Sequence, residues 1–467
     1  MNVPNILFLH VDQMDPNAIA AYGRNRDAYT PCMDRLVKQG HSFMKSYATS
    51  PLCAPARTSW FTGRMPLEHG CIRNNFCAPP DLPDLGQWLS SRGGYECFLI
   101  GKWHVNGRPP EGSFKVLSQP EAPLASDMFS GDSCQTQSAV SFLQNHTGSK
   151  PFFLTIGLLN PHDCQGYSLR SGLTLPAERI KDRLPELPKN FNYDYKDNPV
   201  AGDRKAGIGT MHDWYDDWTL QDWRYYRYEY HRMVEMVDSE IGRILDALQS
   251  SPFAENTLVI LTADHGEGAT HHATITKGLL YDESWRVPVI AVWPGQIQGN
   301  VQDHGHLVSG VDIPATICDF AEVAMLPGMT VGKSLRPVLE NRKTGWREYV
   351  VGETLNFERG TAIRDVRYKT TFFIDGAVRV FDMDRDPGET EDISAQGIGK
   401  EIAGKHWKHL RDYVSRIEPY HGRTIAFRKS AYLKCTAEER EQEASQLTDY
   451  LRWYTGIAAG EVDREQT

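Results

Sequence analysis

The chain has 467 residues, is 40% hydrophobic and 24% charged, and carries a formal net charge of -10. That composition belongs to a globular protein long enough to bury a large core without staples. The acidic balance argues against a nucleic-acid binder, which shows a basic excess; it allows an anionic substrate, because a few cations in one pocket can dominate the local field.

No apolar run is long enough to span a membrane. The chain passes from Met1–Pro4 directly into a strand-like segment, without a recognisable signal peptide. The expected location is therefore cytoplasmic, or periplasmic or secreted if a leader has been removed. Nine cysteines, at 32, 53, 71, 77, 97, 134, 164, 318 and 435, form no CxxC pair. Such a scattered, odd set reads as reduced thiols rather than a disulfide framework or a zinc site.

In chain order, short apolar runs at Asn5–Val11, Glu96–Ile100, Phe152–Leu159, Thr257–Thr262 and Val287–Val292 read as buried parallel strands. Helical patterns lie between them at Met33–Gln39, Leu85–Arg92 and Tyr225–Gln249. The alternation predicts an α/β fold, with a large, mostly parallel sheet sandwiched by helices. Asp163–Trp223 has no clear period and is rich in Asp, Arg, Pro and aromatics. It reads as a long insertion, either a lid that shapes a substrate site or a surface excursion. Beyond residue 335, Arg367–Phe373 and Val378–Phe381 predict antiparallel strands joined by the Asp375-Gly376 turn, and a charged helical tail follows from about Lys400. The expected division is 1–335, with 163–223 as its insertion, and a smaller α+β domain over 336–467.

The predicted strands end in polar residues. Asp12-Gln13, Lys102 and His104, His162, and Asp264-His265 each follow an apolar run. Ligands of open α/β sheets bind beyond the carboxyl ends of the strands, so these residues are expected to share one site. Lys102 and His104 are i and i+2, which in an extended chain point the same way. In Cys53-Ala54-Pro55-Ala56-Arg57, Pro55 suits the opening of a helix. Cys53 would then sit at a helix N-terminus, where unpaired N–H groups favour an anion. Taken alone, such a cysteine is more often an inert buried thiol.

Cys53-x-Pro55-x-Arg57, followed by Thr58-Ser59-Trp60-Phe61-Thr62-Gly63-Arg64, resembles the signature of the type I sulfatases of the alkaline phosphatase superfamily. The resemblance continues in order through Asn5–Asp12, Gly101-Lys102-Trp103-His104, Asn160-Pro161-His162, Val234–Leu248, Thr262–Glu267, Lys277–Glu283, Arg286-Val287-Pro288 and Trp293-Pro294-Gly295. Arg364–Lys369 and Phe381–Pro387 are similar to its C-terminal hairpin. The resemblance implies that Cys53 is oxidised to formylglycine by a separate maturation enzyme. The aldehyde hydrates and one hydroxyl attacks sulfur. The other then loses its proton, and sulfate is expelled.

The same resemblance assigns roles. Asp12, Gln13, Asp264 and His265, with the oxygen at position 53, would hold one divalent cation. Mostly oxygen ligands favour Ca²⁺ or Mg²⁺ over zinc; Gln13 and His265 stand where many members have Asp and Asn, which leaves the metal's identity open. Arg57 would neutralise charge, Lys102 bridge nucleophile and sulfate, and His104 take the proton that releases sulfate. His162 and Lys277 would bind sulfate and protonate the leaving oxygen, with the acid between them unassigned. His272, five residues before Lys277, is a candidate substrate contact or a structural residue. The expected substrate is a small sulfate monoester, with a saccharide as its alcohol because the insertion is polar. Phosphonate monoester or phosphodiester hydrolysis on the same scaffold, and choline sulfate hydrolysis, are the alternatives. Neither nucleic acid nor membrane is an expected partner, and the oligomeric state is left open. The acidic run Asp382–Asp386 resembles the start of an EF-hand loop, but Pro387 stands where that loop needs Gly; a turn is expected.

Overall fold

The computed structural model describes residues 3–23, 27–119, 131–164, 180–191, 218–275, 277–355, 358–418 and 437–462. Its centre is an eight-stranded sheet. The strands are β1 (Asn5–Asp12), β2 (His41–Tyr47), β3 (Glu96–Gly101), β4 (Lys115–Ser118), β5 (Phe152–Pro161), β6 (Thr257–Ala263), β7 (Val289–Val292) and β8 (Val301–Ser309), in the order β4-β3-β5-β1-β6-β7-β2-β8. β1 is central and wholly buried, pairing in parallel with β5 and β6.

The alternation of side chains along β1 builds two cores. Leu7, Leu9 and Val11 face one layer, made of α1 (Pro31–Gln39), α3 (Gly131–Asn145) and α4 (Leu220–Gln249). Ile6 and Phe8 face the other, where Trp60 and Phe61 of α2 (Cys53–Thr62) meet Ile313 and Ile317 of α5 (Asp312–Phe320). The helix-sandwiched sheet is thus the expected architecture, with one exception. β7 is antiparallel to both β6 and β2, although Val287–Val292 was expected to be parallel. The physical reason is the connection: the Gly266 and Glu267 N–H groups donate to Ser284 O and Glu283 O, so the chain doubles back beside the end of β6 and the next strand runs the other way.

A second, antiparallel sheet follows in the order β12-β11-β10-β9, from β9 (Val350–Leu355), β10 (Arg359–Arg364), β11 (Tyr368–Phe373) and β12 (Val378–Asp382). Gly376 adopts a φ of 91 in the expected turn between β11 and β12. Residues 383–385 form a turn, as expected of the Asp-rich run. The expected tail helix is α6 (Gly397–Arg416), and a further helix, α7 (Ala437–Ala459), follows. Trp407, Leu410, Tyr413 and Val414 of α6 share a core with Val351, Ile363 and Phe372 of the small sheet and with Met65 and Leu67 just beyond α2.

α4 begins at Leu220, earlier than the expected Tyr225, because Thr219 and Asp222 form a reciprocal capping box. Of the expected insertion 163–223, residues 165–179 and 192–217 lie outside the described residues, as does Cys435. Among the described residues, the eight cysteines form no disulfide. Among the described residues, no helix is long and apolar enough to cross a membrane.

Candidate active site

Cys53 opens α2, with Leu52 as the preceding cap residue. Pro55 is therefore the third helical residue and not the first, a correction to the expectation. The shift is tolerated because every N–H of a first turn lacks an intrahelical partner. The helix is buried along its whole length, and it aims its N-terminus at the ends of β1 and β6.

There, one ligand atom each from Asp12, Cys53, Asp264 and His265 lies within 4.8 Å of the others, and all four residues are buried. Cys53 Sγ is 3.1 Å from His265 Nε2 and 3.7 Å from Asp12 Oδ1. Arg57, one turn along α2, is fully buried and ties the two carboxylates together. Its Nε donates to Asp264 Oδ2 at 2.7 Å and its Nη2 to Asp12 Oδ2 at 3.0 Å. Lys102 Nζ lies 2.5 Å from Asp12 Oδ2, and Lys277 Nζ 3.9 Å from Asp12 Oδ1. Two carboxylates, an imidazole and a position-53 side chain suit a hard divalent cation.

Gln13 sits beside this group in a left-handed conformation, φ 68. Its N–H donates to Asp264 Oδ1 at 3.1 Å, its side-chain oxygen accepts from Lys277 Nζ at 2.6 Å, and its amide N–H donates to Glu267.

Lys102 and His104 do not project from one extended strand as expected. β3 ends at Gly101, whose φ of 81 turns the backbone against Gly157, and His104 is itself left-handed at φ 53. Bent backbone rather than strand periodicity brings the two to Cys53. Left-handed non-glycine residues cost energy and cluster where a side chain must be aimed.

Electrostatics follow from burial among charges. Burial and the Asp12 carboxylate push the Cys53 thiol up, but Lys277, Lys102 and His265 outweigh them and hold it well below the ordinary thiol range. Burial likewise pushes Asp12 up, yet Lys102, His162, Arg57 and Lys277 keep it well below the usual carboxylate range. Burial lowers His104 to about 4, against a hydrogen bond to Cys53 that raises it, so it is neutral at neutral pH. His162 is also lowered, by burial and then by Lys277 and Lys102. Lys277 is raised: burial opposes its charge, but Cys53, Asp12 and Asp264 favour it. The His265 imidazole is raised: burial opposes its charge, but Asp264 and Cys53 favour it. The site therefore presents cations, a deprotonated centre at residue 53, and neutral imidazoles at His104 and His162.

His272 is held by other partners. It is buried, stacks on Tyr281 at 3.9 Å, and its Nε2 is 3.2 Å from Asn190 Nδ2. Its neighbour His271 reaches Asn190 Oδ1 at 2.8 Å and Glu283 Oε1 at 3.1 Å.

Several residues at the site went unnoticed in the sequence. Asn74 Oδ1 accepts from Ala54 N–H at 3.0 Å while its Nδ2 is 4.0 Å from Cys53 Sγ. His10 faces Arg57 Nη1 at 3.2 Å. Glu267 accepts from Tyr226 Oη at 2.7 Å as well as from Gln13. His10, a polar residue inside the apolar run of β1, carried a readable signal; Asn74 and Tyr226 carried none.

The profile of the sulfatase family matches residues 4–323, and that of the N-sulphoglucosamine sulphohydrolase C-terminal region matches residues 270–416. The Δ4,5-hexuronate-2-O-sulfatase of Bacteroides thetaiotaomicron is 30% identical over 438 residues, covering 88% of this chain and 89% of that protein. An N-acetylglucosamine-6-O-sulfatase of the same organism is 26% identical over 89% of this chain and 86% of its own length. The solved structure of a 2-O GAG sulfatase superposes with a TM-score of 0.78 at 28% identity, covering 89% of this chain and 92% of that one. With buried cations and carboxylates gathered around the cysteine of its signature, and a profile match over most of its length, the chain belongs to the sulfatase family, enzymes that hydrolyse sulfate esters.

Proposed function

We propose that this enzyme removes sulfate from a sulfated saccharide, R–O–SO₃⁻ to R–OH and sulfate, with Cys53 as the precursor of its nucleophile. The observation that carries the reading is the convergence of Cys53, Asp12, Asp264 and His265 within 4.8 Å, flanked by Arg57, Lys102 and Lys277. A tetrahedral sulfate group, singly charged in the ester and doubly charged once expelled, needs such a ring of preorganised positive charge as its S–O bond breaks. The two relatives named above act, by their names, on sulfated sugar residues, which supports a saccharide as R.

Residue 53, once a maturation enzyme has oxidised it to formylglycine, supplies as its hydrate an oxygen nucleophile and a second hydroxyl that allows sulfate to be expelled. A single divalent cation, Ca²⁺ or Mg²⁺, fits Asp12, Asp264, His265 and the position-53 oxygen, with Gln13 beside them, and supplies positive charge to the sulfate oxygens. Arg57 holds the two carboxylates with one guanidinium fork. Lys102 and Lys277 oppose the charge developing on sulfate. His104, neutral, accepts a proton from the hydroxyl at position 53. Of the two candidate acids, Lys277, kept charged by Cys53, Asp12 and Asp264, protonates the leaving oxygen, and His162, held neutral, binds the sulfate. We place the catalytic part in residues 1–335 and the smaller part in 336–467.

The test is sulfate release, measured by ion chromatography, from protein made with the maturation enzyme. The substrates are a 2-O-sulfated Δ4,5-unsaturated disaccharide, N-acetylglucosamine 6-sulfate, choline sulfate, 4-nitrophenyl sulfate and an aryl phosphodiester. Preferential turnover of a sulfated sugar is expected. Faster hydrolysis of the phosphodiester or of choline sulfate than of every sulfated sugar would overturn the assignment.

A further inference from the structure

Residues 268–274 join the metal-motif segment, which ends in Glu267, to the segment that carries Lys277. This short loop holds four non-glycine residues at positive φ: Ala269 (43), Thr270 (74), His272 (53) and Ala273 (47). Each such residue costs of order 1 kcal/mol or more and persists only where surroundings over-determine it. Part of the hold is internal: Thr270 N–H donates to Thr274 O at 2.9 Å and His271 N–H to Gly268 O at 2.7 Å. The rest comes from outside. Arg227 of α4 donates to Ala269 O at 2.8 Å.

The densest external contact is a single buried side chain, Asn190. Its Oδ1 lies 2.8 Å from His271 Nδ1, and its Nδ2 lies 3.2 Å from His272 Nε2 and 3.3 Å from Glu283 Oε1. The same Nδ2 donates to Gly388 O at 2.9 Å. Glu283 extends the connection to the reacting centre, because its carbonyl accepts the N–H of Glu267 at 2.8 Å. One amide thus joins four parts of the chain: its own segment 180–191, the strained loop between the metal motif and Lys277, Glu283 beyond that lysine, and the turn after β12.

We propose that Asn190 is a specificity-positioning residue. It pins the strained loop and the post-β12 turn to segment 180–191 and so fixes the wall against which the saccharide alcohol of the substrate rests. It touches none of the reacting groups. The inference rests on the saccharide sulfatase reading above. Its consequence falls on the sugar beyond the sulfate, in whose place an aryl sulfate carries only a flat ring.

The experiment compares the parent with Asn190→Ala and Asn190→Asp on the 2-O-sulfated Δ4,5-unsaturated disaccharide and on 4-nitrophenyl sulfate. Hydrogen exchange of peptides spanning 268–274 and 386–390 is followed in parallel. For Asn190→Ala, kcat/KM on the disaccharide falls roughly tenfold or more, chiefly through KM, because a loosened wall misplaces the sugar. The loss on 4-nitrophenyl sulfate is several times smaller, and both peptides lose protection. Asn190→Asp, nearly equal in volume, does not rescue. It loses the donor to Gly388 and sets a second carboxylate against Glu283. Equal losses on the two substrates, rescue by Asn190→Asp, or unchanged exchange in the loop would overturn the proposal. Failure of the parent to release sulfate from the disaccharide refutes the substrate reading instead, and the pin is then judged on exchange alone.

Discussion

Arg57 has no exposed surface, and its fork is occupied by Asp12, Asp264, His10 and the Lys102 carbonyl. Removing it leaves two buried carboxylates side by side without their shared cation. Arg57→Ala should therefore cost about 3–5 kcal/mol in stability, the usual penalty for stranding buried charge, together with nearly all activity. A melting temperature within a degree of the parent would contradict this. Lys102→Ala removes a cation at the edge of the same cluster, where its side chain is 4% exposed. It should fold, and lose about 10²–10³ in kcat by sulfate release; parent-like turnover would exclude Lys102 from the chemistry. At this scale the sequence is legible wherever a residue stands in a motif at a strand end or a helix start, as Asp12, Lys102 and Asp264 do at the first and Cys53 at the second. The backbone that aims them is not. Gln13 and His104 adopt left-handed φ that neither residue type advertises, and Asn74 and Asn190 come to the site from segments without periodicity.

Close approach at the strand ends sets how the elements meet. A Cβ on Gly266 would come within 1.9 Å of Glu283 O, and one on Gly101, at positive φ, within 2.1 Å of Gly157 O. Gly266→Ala and Gly101→Ala should each destabilise by about 3 kcal/mol or more, since backbone cannot yield as a side-chain tip can. Gly112→Ala, with no heavy atom within 4 Å of its Cβ, is the control and should be near neutral in urea titrations. A second element-level prediction concerns Glu353 of β9, which is buried. It accepts from the Tyr413 hydroxyl of α6 and from Leu67 N–H at 2.9 Å. Burial raises its carboxyl to about 8. A group raised in the folded state binds its proton there between pH 4.5 and 8, where the unfolded chain does not. Its stabilising share is full below 4.5 and is lost as pH rises through 8. Glu353→Gln should therefore flatten the fall in melting temperature between pH 5 and 8 and be the more stable protein at pH 8. An unchanged slope would show that Glu353 is ionised. The antiparallel β7 was legible in principle: between Ala263 and Val287 no helical pattern supplies the crossover that a parallel return requires, yet an apolar run alone does not carry direction. β2 and β8 escaped notice because His41, Lys45, Asp303 and His304 interrupt their apolar character.

Across the whole molecule, the small sheet is not an independent appendage. Met65 and Leu67, just past the nucleophile helix, share a core with Trp407, Leu410 and Tyr413 of α6, so the far end of α2 is braced by the C-terminal part while its near end presents Cys53. This long-range arrangement rests on contacts between residues hundreds of positions apart, which no local pattern encodes; the motif order along the chain nonetheless foretold that distant segments would share a site. The decisive measurement pairs peptide mass spectrometry with turnover. Protein made in a host with the maturation enzyme should carry an aldehyde at residue 53 and release sulfate from a sulfated substrate in proportion to that fraction, while Cys53→Ala folds and releases none. Full turnover from protein whose Cys53 remains an unmodified thiol, or from Cys53→Ala, would contradict it.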